Sequence, residues 1–300
     1  MSRCYMCPRA CGKDRSVDKG ICGMGDNMRV ARADLHFFEE PIISGTRGSG
    51  TVFFCGCSLG CVFCQNRDIS RGSELGREIS ERELADIMLG LEERGAHNIN
   101  LVTGAHFVSK IATSLEMVKN RLSIPIVYNS SGYELPKTLK MLDGLVDIYL
   151  PDYKYFSSEL SAKYSNAPDY RERAEAAILE MFGQVGKCEY NDEGLLKKGI
   201  IIRHLVLPSS RADSIAVVRR IAEILPKNDI LISVMSQYTP DFASDVDFKE
   251  LHRRVTRFEY DSVLQEVQRL GLSGFSQAKE SASGVYTPDF KGNTGVKNSN

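Results

Sequence analysis

A chain of 300 residues has room for one large α/β domain and an appendage, and its make-up, 42% hydrophobic and 26% charged, is that of a globular protein. A formal net charge of −1 argues against a protein that grips nucleic acid through its phosphates, so no nucleic-acid partner is expected. No apolar run reaches the length of a membrane span, and the opening Met1-Ser-Arg-Cys-Tyr5 lacks the apolar core of a signal peptide.

Nine cysteines in such a chain point to metal ligation in a reducing cytoplasm rather than to disulfides. Cys4, Cys7, Cys11 and Cys22 crowd the start, Cys55, Cys57, Cys61 and Cys64 crowd a second stretch, and Cys188 stands apart as an ordinary thiol. Residues 1–50 are rich in glycine turns with little sustained periodicity. Such a segment needs a metal or its neighbour to organise it, and is assigned as a cysteine-rich, metal-binding extension. Cys4 and Cys7 have the spacing of a metal knuckle that Cys11 and Cys22 can complete; zinc or an iron–sulfur centre would accept four thiolates.

From Thr51 the chain alternates short apolar runs with amphipathic stretches, the pattern of a parallel sheet wrapped by helices. The first strand, Thr51–Phe54, leads into Cys57-Ser-Leu-Gly-Cys61-Val-Phe-Cys64. Three thiolates on one tight loop can hold three corners of a [4Fe–4S] cluster and leave one iron open, the arrangement of a catalytic rather than a closed structural centre. Cys55, on the strand itself, alternates away from Phe54. Ser80 and Glu83 form a capping-box pattern, and Leu84, Ile87, Met88 and Leu91 then recur at helical spacing until Gly95. Asn98–Val102 is the second strand. A helix follows His106 with Val108, Ile111, Ala112 and Leu115 on one face, and His106 is a candidate ligand, proton donor or simple cap.

Further strands are expected at Pro125–Asn129, Val146–Leu150, Gly199–Val206 and Ile230–Met235, with helices at Leu135–Leu142, Arg171–Phe182, Asp213–Leu225 and Tyr260–Leu270, the last stopped by Gly271. Alternation in the fifth strand sends one of Arg203 and His204 inward, and Gln237 or Tyr238 at the end of the sixth is a candidate substrate contact. Six β–α units over residues 51–275 predict an α/β partial (β/α)6 barrel, whose site gathers at the carboxyl ends of the strands. Residues 276–300 form a tail whose polar end, Lys291–Asn300, is expected to be disordered.

The stretch from Phe53 through Asn66 resembles the cluster loop of the radical S-adenosylmethionine (SAM) superfamily. Cys4-Tyr-Met-Cys7-Pro-Arg-Ala-Cys11-Gly and Glu39-Glu-Pro-Ile-Ile-Ser-Gly-Thr-Arg-Gly-Ser-Gly look like a subgroup related to pyruvate formate-lyase activating enzymes. The likeness spans roughly residues 4–290. It implies a radical SAM oxidoreductase of the activating-enzyme type: SAM chelated at the open iron, one-electron reduction by a flavodoxin- or ferredoxin-type donor, and a 5′-deoxyadenosyl radical that abstracts hydrogen. A glycyl radical enzyme is the implied protein substrate; a peptide, nucleoside or small molecule is the alternative.

By the same resemblance Phe63 lies near the adenine. Thr103 and Gly104 stand where relatives carry a Gly-Gly-Glu turn for the SAM amino group, though no acid is present here. Asn129 and Ser130 face the nucleoside. Asp152 and Lys154 form the acid–lysine pair that ends the fourth strand, and Ser209 replaces a glycine usual after Pro208. The non-enzymatic reading, a metal-stapled or electron-transfer protein, is opposed by the three-cysteine count, because a structural site should be coordinatively closed.

Overall fold

Strands buried on both faces read as unbroken apolar runs, and parallel sheets covered by helices are built from them. In the computed structural model, which describes residues 3–71 and 75–276, this holds for the central strands. The elements, in order, are β1 (Met28–His36), α1 (Pro41–Ser44), β2 (Ser49–Phe54), α2 (Arg67–Ser70), β3 (Arg77–Ile79), α3 (Glu81–Glu93) and β4 (Ile99–Val102). They continue with α4 (Val108–Val118), β5 (Ile126–Ser130), α5 (Pro136–Leu139), β6 (Ile148–Pro151), α6 (Ser158–Ser165), α7 (Tyr170–Val185), β7 (Glu189–Tyr190) and β8 (Leu196–Leu205). Last come α8 (Arg211–Ile224), β9 (Leu231–Met235), α9 (Arg257–Leu270) and β10 (Gly274–Ser276). One sheet runs β10-β9-β8-β6-β5-β4-β2-β1-β3, with β7 paired to β8.

The six expected strands are β2, β4, β5, β6, β8 and β9; all pair in parallel, and β10 adds a seventh beside β9. The architecture is the partial α/β barrel of the sequence expectation. Among the described residues no helix is long and apolar enough to cross a membrane. The C-terminal tail from residue 277, with its expected disorder, lies outside the described residues.

Period-two alternation sorts the strand residues into two cores. Leu101, Tyr128, Tyr149, Ile200 and Ile202 join the cluster that contains Leu84 and Met88 of α3 and Ile111 and Leu115 of α4. Val127, Ile148, Ile201 and Leu231 turn the other way and pack on Ile43 of α1. The short helix α1, started by Pro41 at its first position, therefore plugs the amino end of the barrel. What remains inside is a blind cleft that opens at the carboxyl ends of the strands.

The extension is more regular than its turns suggest. β1 is a nine-residue strand antiparallel to both β2 and β3, so the sheet runs across residue 50. A bulge between Val30 and Arg32 breaks its alternation, which hides it from a period-two search. Smaller differences follow local chemistry. The expected helix Leu135–Leu142 splits into α5 and a 3-10 turn at Lys140–Leu142. The helix α6 was missed; it starts at Ser157, whose hydroxyl accepts N–H bonds from Glu159 and Leu160. α9 begins earlier than expected, at a second capping box between Thr256 and Glu259. The capping box at Ser80 and Glu83 is formed as expected.

Candidate active site

The cysteine loop leaves β2 through Gly56, whose φ of +82° belongs to the left-handed region. Space as well as backbone demands glycine, because a Cβ would sit 2.4 Å from Met24 Cγ and 2.7 Å from the Cys22 carbonyl oxygen. The loop is pinned by Gly56 N–H to Ile69 O (2.7 Å), Cys57 N–H to Cys22 O (3.2 Å) and Val62 N–H to Tyr164 O (2.9 Å). Arg9 of the extension grips it from outside, donating to Ser58 O (2.8 Å) and Leu59 O (3.0 Å) with its guanidinium over the Tyr133 ring. So held, Cys57, Cys61 and Cys64 all line the blind cleft.

The chemistry of this donor set fits an anionic iron–sulfur cluster. Burial, with neighbouring Cys64 and Cys61, pushes the Cys57 thiol up to about 12; burial and Cys61 also raise Cys64. Three thiolates so close, in so little water, call for cationic metal. Hydrogen bonds already aim at the sulfurs, from Leu59 N–H to Cys57 (3.4 Å) and from the Ser165 hydroxyl to Cys61 (3.1 Å).

The same cleft has an ionic floor. Asp152 accepts from Lys154 Nζ at 2.6 Å and from Arg203 Nε at 2.9 Å. Arg203 Nη2 also donates to Asn129 Oδ1 (2.6 Å), and its Nη1 lies 3.6 Å from Glu39 Oε2. Burial pushes the Asp152 carboxyl up, but Arg203 and Lys154 outweigh it and hold the group below the usual carboxylate range. Burial lowers Lys154, and Asp152 more than restores it. Glu39 is raised by burial despite Arg203. Glu40, 5% exposed, lines the same cleft at the start of α1.

Phe63 lines the cleft and also packs edge-on against Tyr155, Tyr164 and Tyr238, with centroids 6.4, 6.2 and 6.1 Å away. Thr103 lines it too, with its N–H on Asn129 O (2.9 Å) and a φ of +62°. That conformation is costly for a β-branched residue, and such strain concentrates at functional sites. Gly104 lies behind the cleft, where a Cβ would sit 2.4 Å from Ile111 Cδ1. Arg203 and Gln237 are the inward members of their pairs. Their neighbours are structural: His204 donates from Nδ1 to Tyr153 O (2.7 Å), and the Tyr238 hydroxyl donates to Leu251 O (2.5 Å). His106 likewise turns to the backbone, donating from Nε2 to Cys55 O (2.8 Å). Burial pushes the two histidines down, to about 3 for His106 and about 4 for His204. Cys55 (Sγ to Leu75 O, 3.2 Å) and Cys188 (Sγ to Ile200 O, 3.7 Å) bond to carbonyls away from the cleft. Ser209 takes the glycine conformation, φ +62°, with its N–H on Glu259 at 2.7 Å.

Ser130 lines the cleft, but its hydroxyl is engaged by Glu134, which also accepts from Tyr128 at 3.1 Å. Burial raises Glu134 from 4.5 to about 7. Between those values the native state keeps a proton that the unfolded chain has lost, so stability falls as pH rises, by about 3 kcal/mol in all. The buried histidines act oppositely, losing stability as pH falls through 6.5. The difference between wild type and Glu134→Gln isolates the carboxyl. Denaturant midpoints at about pH 5 and about pH 8 are expected to show the variant gaining on wild type at the higher pH, whereas a difference independent of pH contradicts the assignment.

Among the residues missed in this site are Glu39, Glu40 and Arg9. All three fall in the two stretches that carry the subgroup resemblance, but nothing there marked them as site residues.

The Radical SAM superfamily model matches residues 51–183. An uncharacterized protein of Methanocaldococcus jannaschii is 28% identical over 281 residues, which cover 90% of this chain and 75% of that protein. A radical SAM methyltransferase from Sphaerobacter thermophilus superposes with a TM-score of 0.52 at 14% identity, covering 76% of this chain and 65% of the other. Streptococcus suis SuiB bound to S-adenosylmethionine gives 0.51 at 16%, covering 74% and 48%. The chain thus spans less than two thirds of either solved protein, and at these identities the likeness is one of fold.

Proposed function

The chain carries a radical SAM superfamily domain over residues 51–183, and from that premise we propose an enzyme that reductively cleaves SAM to abstract hydrogen from a polypeptide. The observation that supports it is the meeting, in one cleft, of three thiols, Cys61 buried and Cys57 and Cys64 half-buried, and a paired ionic floor. Cys57, Cys61 and Cys64 would hold a [4Fe–4S] cluster. When bound, cluster and SAM would supply the one-electron chemistry that removes a hydrogen atom from the substrate.

The residues of the chain bind, orient and exclude water. Asp152, Lys154 and Arg203 offer fixed charges of both signs to the ammonium and carboxylate of SAM, and pair with each other otherwise. Thr103 and Asn129 present polar groups at the strand ends, and Phe63 offers an aromatic edge. Gly104 contributes backbone alone, and Ser130 acts through Glu134. Ile43 and Glu40 close the floor against water.

A polypeptide substrate is favoured by the mouth. Phe37 and Phe38 stand exposed at the end of β1, and Phe38 also lines the cleft. A glycyl radical enzyme, reached in the cytoplasm and with a flavodoxin- or ferredoxin-type donor, is the first choice. Incubating the reduced enzyme with SAM and candidate glycyl radical proteins is expected to give a glycyl doublet by electron paramagnetic resonance. Deoxyadenosine formed with a small molecule, and no doublet with any protein, would reverse the choice.

A further inference from the structure

We infer that Cys4, Cys7, Cys11 and Cys22 bind a second [4Fe–4S] cluster, closed by four thiolates, that passes single electrons to the site at Cys57, Cys61 and Cys64. The second site is independent of the function proposed above; its role as a relay rests on it.

The extension is folded around these four sulfurs. Cys4 N–H to Lys13 O (2.9 Å) and Gly12 N–H to Cys4 O (3.0 Å) close one turn, and Ala10 N–H to Cys7 O (3.0 Å) closes the next. A Cβ on Gly20 would stand 3.3 Å from Cys22 Sγ and 3.5 Å from Cys11 Sγ, so two of the sulfurs flank one glycine. Cys7 and Cys22 are each 7% exposed. The backbone N–H groups of Arg9 and Lys13, each two residues beyond a cysteine, face the sulfurs of Cys7 and Cys11, and buried Arg15 places Nη1 4.0 Å from Cys4 Sγ. Amide and guanidinium donors turned on sulfur are what an anionic thiolate centre requires.

A redox role is what separates a cluster from zinc. Zinc has no second oxidation state and would serve only as a staple. A cubane takes up and gives back one electron with its four thiolates in place. The contacts between the two cysteine groups favour the cluster.

The two cysteine groups are joined directly. The Cys57 N–H donates to the Cys22 carbonyl at 3.2 Å, so a ligand of one site is hydrogen-bonded to a ligand of the other. Arg9, between Cys7 and Cys11, holds Ser58 and Leu59 between Cys57 and Cys61. Tyr5, Val17 and Ile21 leave the outer side of the extension exposed. One electron from a low-potential carrier protein of the flavodoxin or ferredoxin class reduces the outer cluster. The same electron then passes inward, returning the outer cluster to its oxidised state with no bond made or broken there. Having no open iron, the outer cluster does not bind SAM.

The test uses the full chain, loaded anaerobically with iron and sulfide and assayed for iron, sulfide and zinc. Wild type is expected to hold about eight irons in two clusters and no zinc. The Cys57→Ala/Cys61→Ala/Cys64→Ala variant should keep about four, with a reduced-cluster paramagnetic signal that SAM leaves unchanged. The Cys4→Ser/Cys11→Ser variant should retain a signal that SAM shifts, while the carrier reduces it about tenfold or more slowly than in wild type. Zinc in place of the second iron set, or iron wholly lost from the triple variant, overturns the site, and neither reading depends on the folding of the Cys4/Cys11 variant. Equal reduction rates overturn the relay. A wild type with two clusters, neither of which responds to SAM, would instead defeat the proposed function and leave the second site standing.

Discussion

Replacing any one of Cys57, Cys61 and Cys64 with alanine is expected to cut 5′-deoxyadenosine formation by about a thousandfold or more, equivalent to at least about 4 kcal/mol of barrier. Two thiolates cannot hold a cubane at the mouth of the cleft, and no spare ligand stands in: Cys55 is bonded to Leu75 O on the far side of its strand and His106 to Cys55 O. The loss should be chemical rather than structural. The loop is held by backbone bonds at Gly56, Cys57 and Val62 and by Arg9, none of which uses a triad sulfur. Unfolding midpoints of the metal-free variants are therefore expected to stay close to that of metal-free wild type, while iron content and SAM cleavage collapse together. A Cys61→Ala protein with full iron and normal turnover would refute the ligand assignment.

The second large effect concerns the ionic floor. Asp152→Ala strands two cations, Arg203 and Lys154, inside a cleft where each is bonded to that one carboxylate. Breaking a buried pair from one side costs about 3–5 kcal/mol. Arg203→Met should cost less, because Asp152 keeps Lys154 at 2.6 Å and Glu39, already raised by burial, can take up a proton. Both variants should weaken SAM binding, but the order of stability, wild type above Arg203→Met above Asp152→Ala, separates an ion network from a chance surface pair. Denaturant titration of the metal-free proteins measures it, and equal midpoints for the two variants would contradict the network.

The sheet was largely readable from residues. Most of the six parallel strands are short apolar runs between turn signals, the ten-residue β8 being the exception, and the capping box at Ser80 set the start of α3 where its side-chain bonds form. β1 was not readable, since its bulge and the interleaved Arg29, Arg32 and Asp34 erase the alternation. Within the site, the three thiols were visible because their chemistry is local to eight residues. Inward-facing Arg203 and structural His204 could be reduced only to a choice by alternation, and the structure made it through the Tyr153 carbonyl. Glu39 was invisible as a site residue because it reaches Arg203 only after α1 is inserted into the barrel. Long-range placement of that kind leaves no periodic trace. The same is true of the hydrogen bond from Cys57 to Cys22, which joins two cysteine groups that the sequence presents as separate.

The central claim is SAM cleavage at the triad, and one measurement meets it head-on. The full chain, reconstituted without oxygen until its iron and sulfide contents are complete, is mixed with SAM and a strong one-electron reductant, and 5′-deoxyadenosine and methionine are quantified. The account predicts both products in equal amounts from wild type and neither from Cys57→Ala. A fully loaded wild-type protein that leaves SAM intact would contradict it.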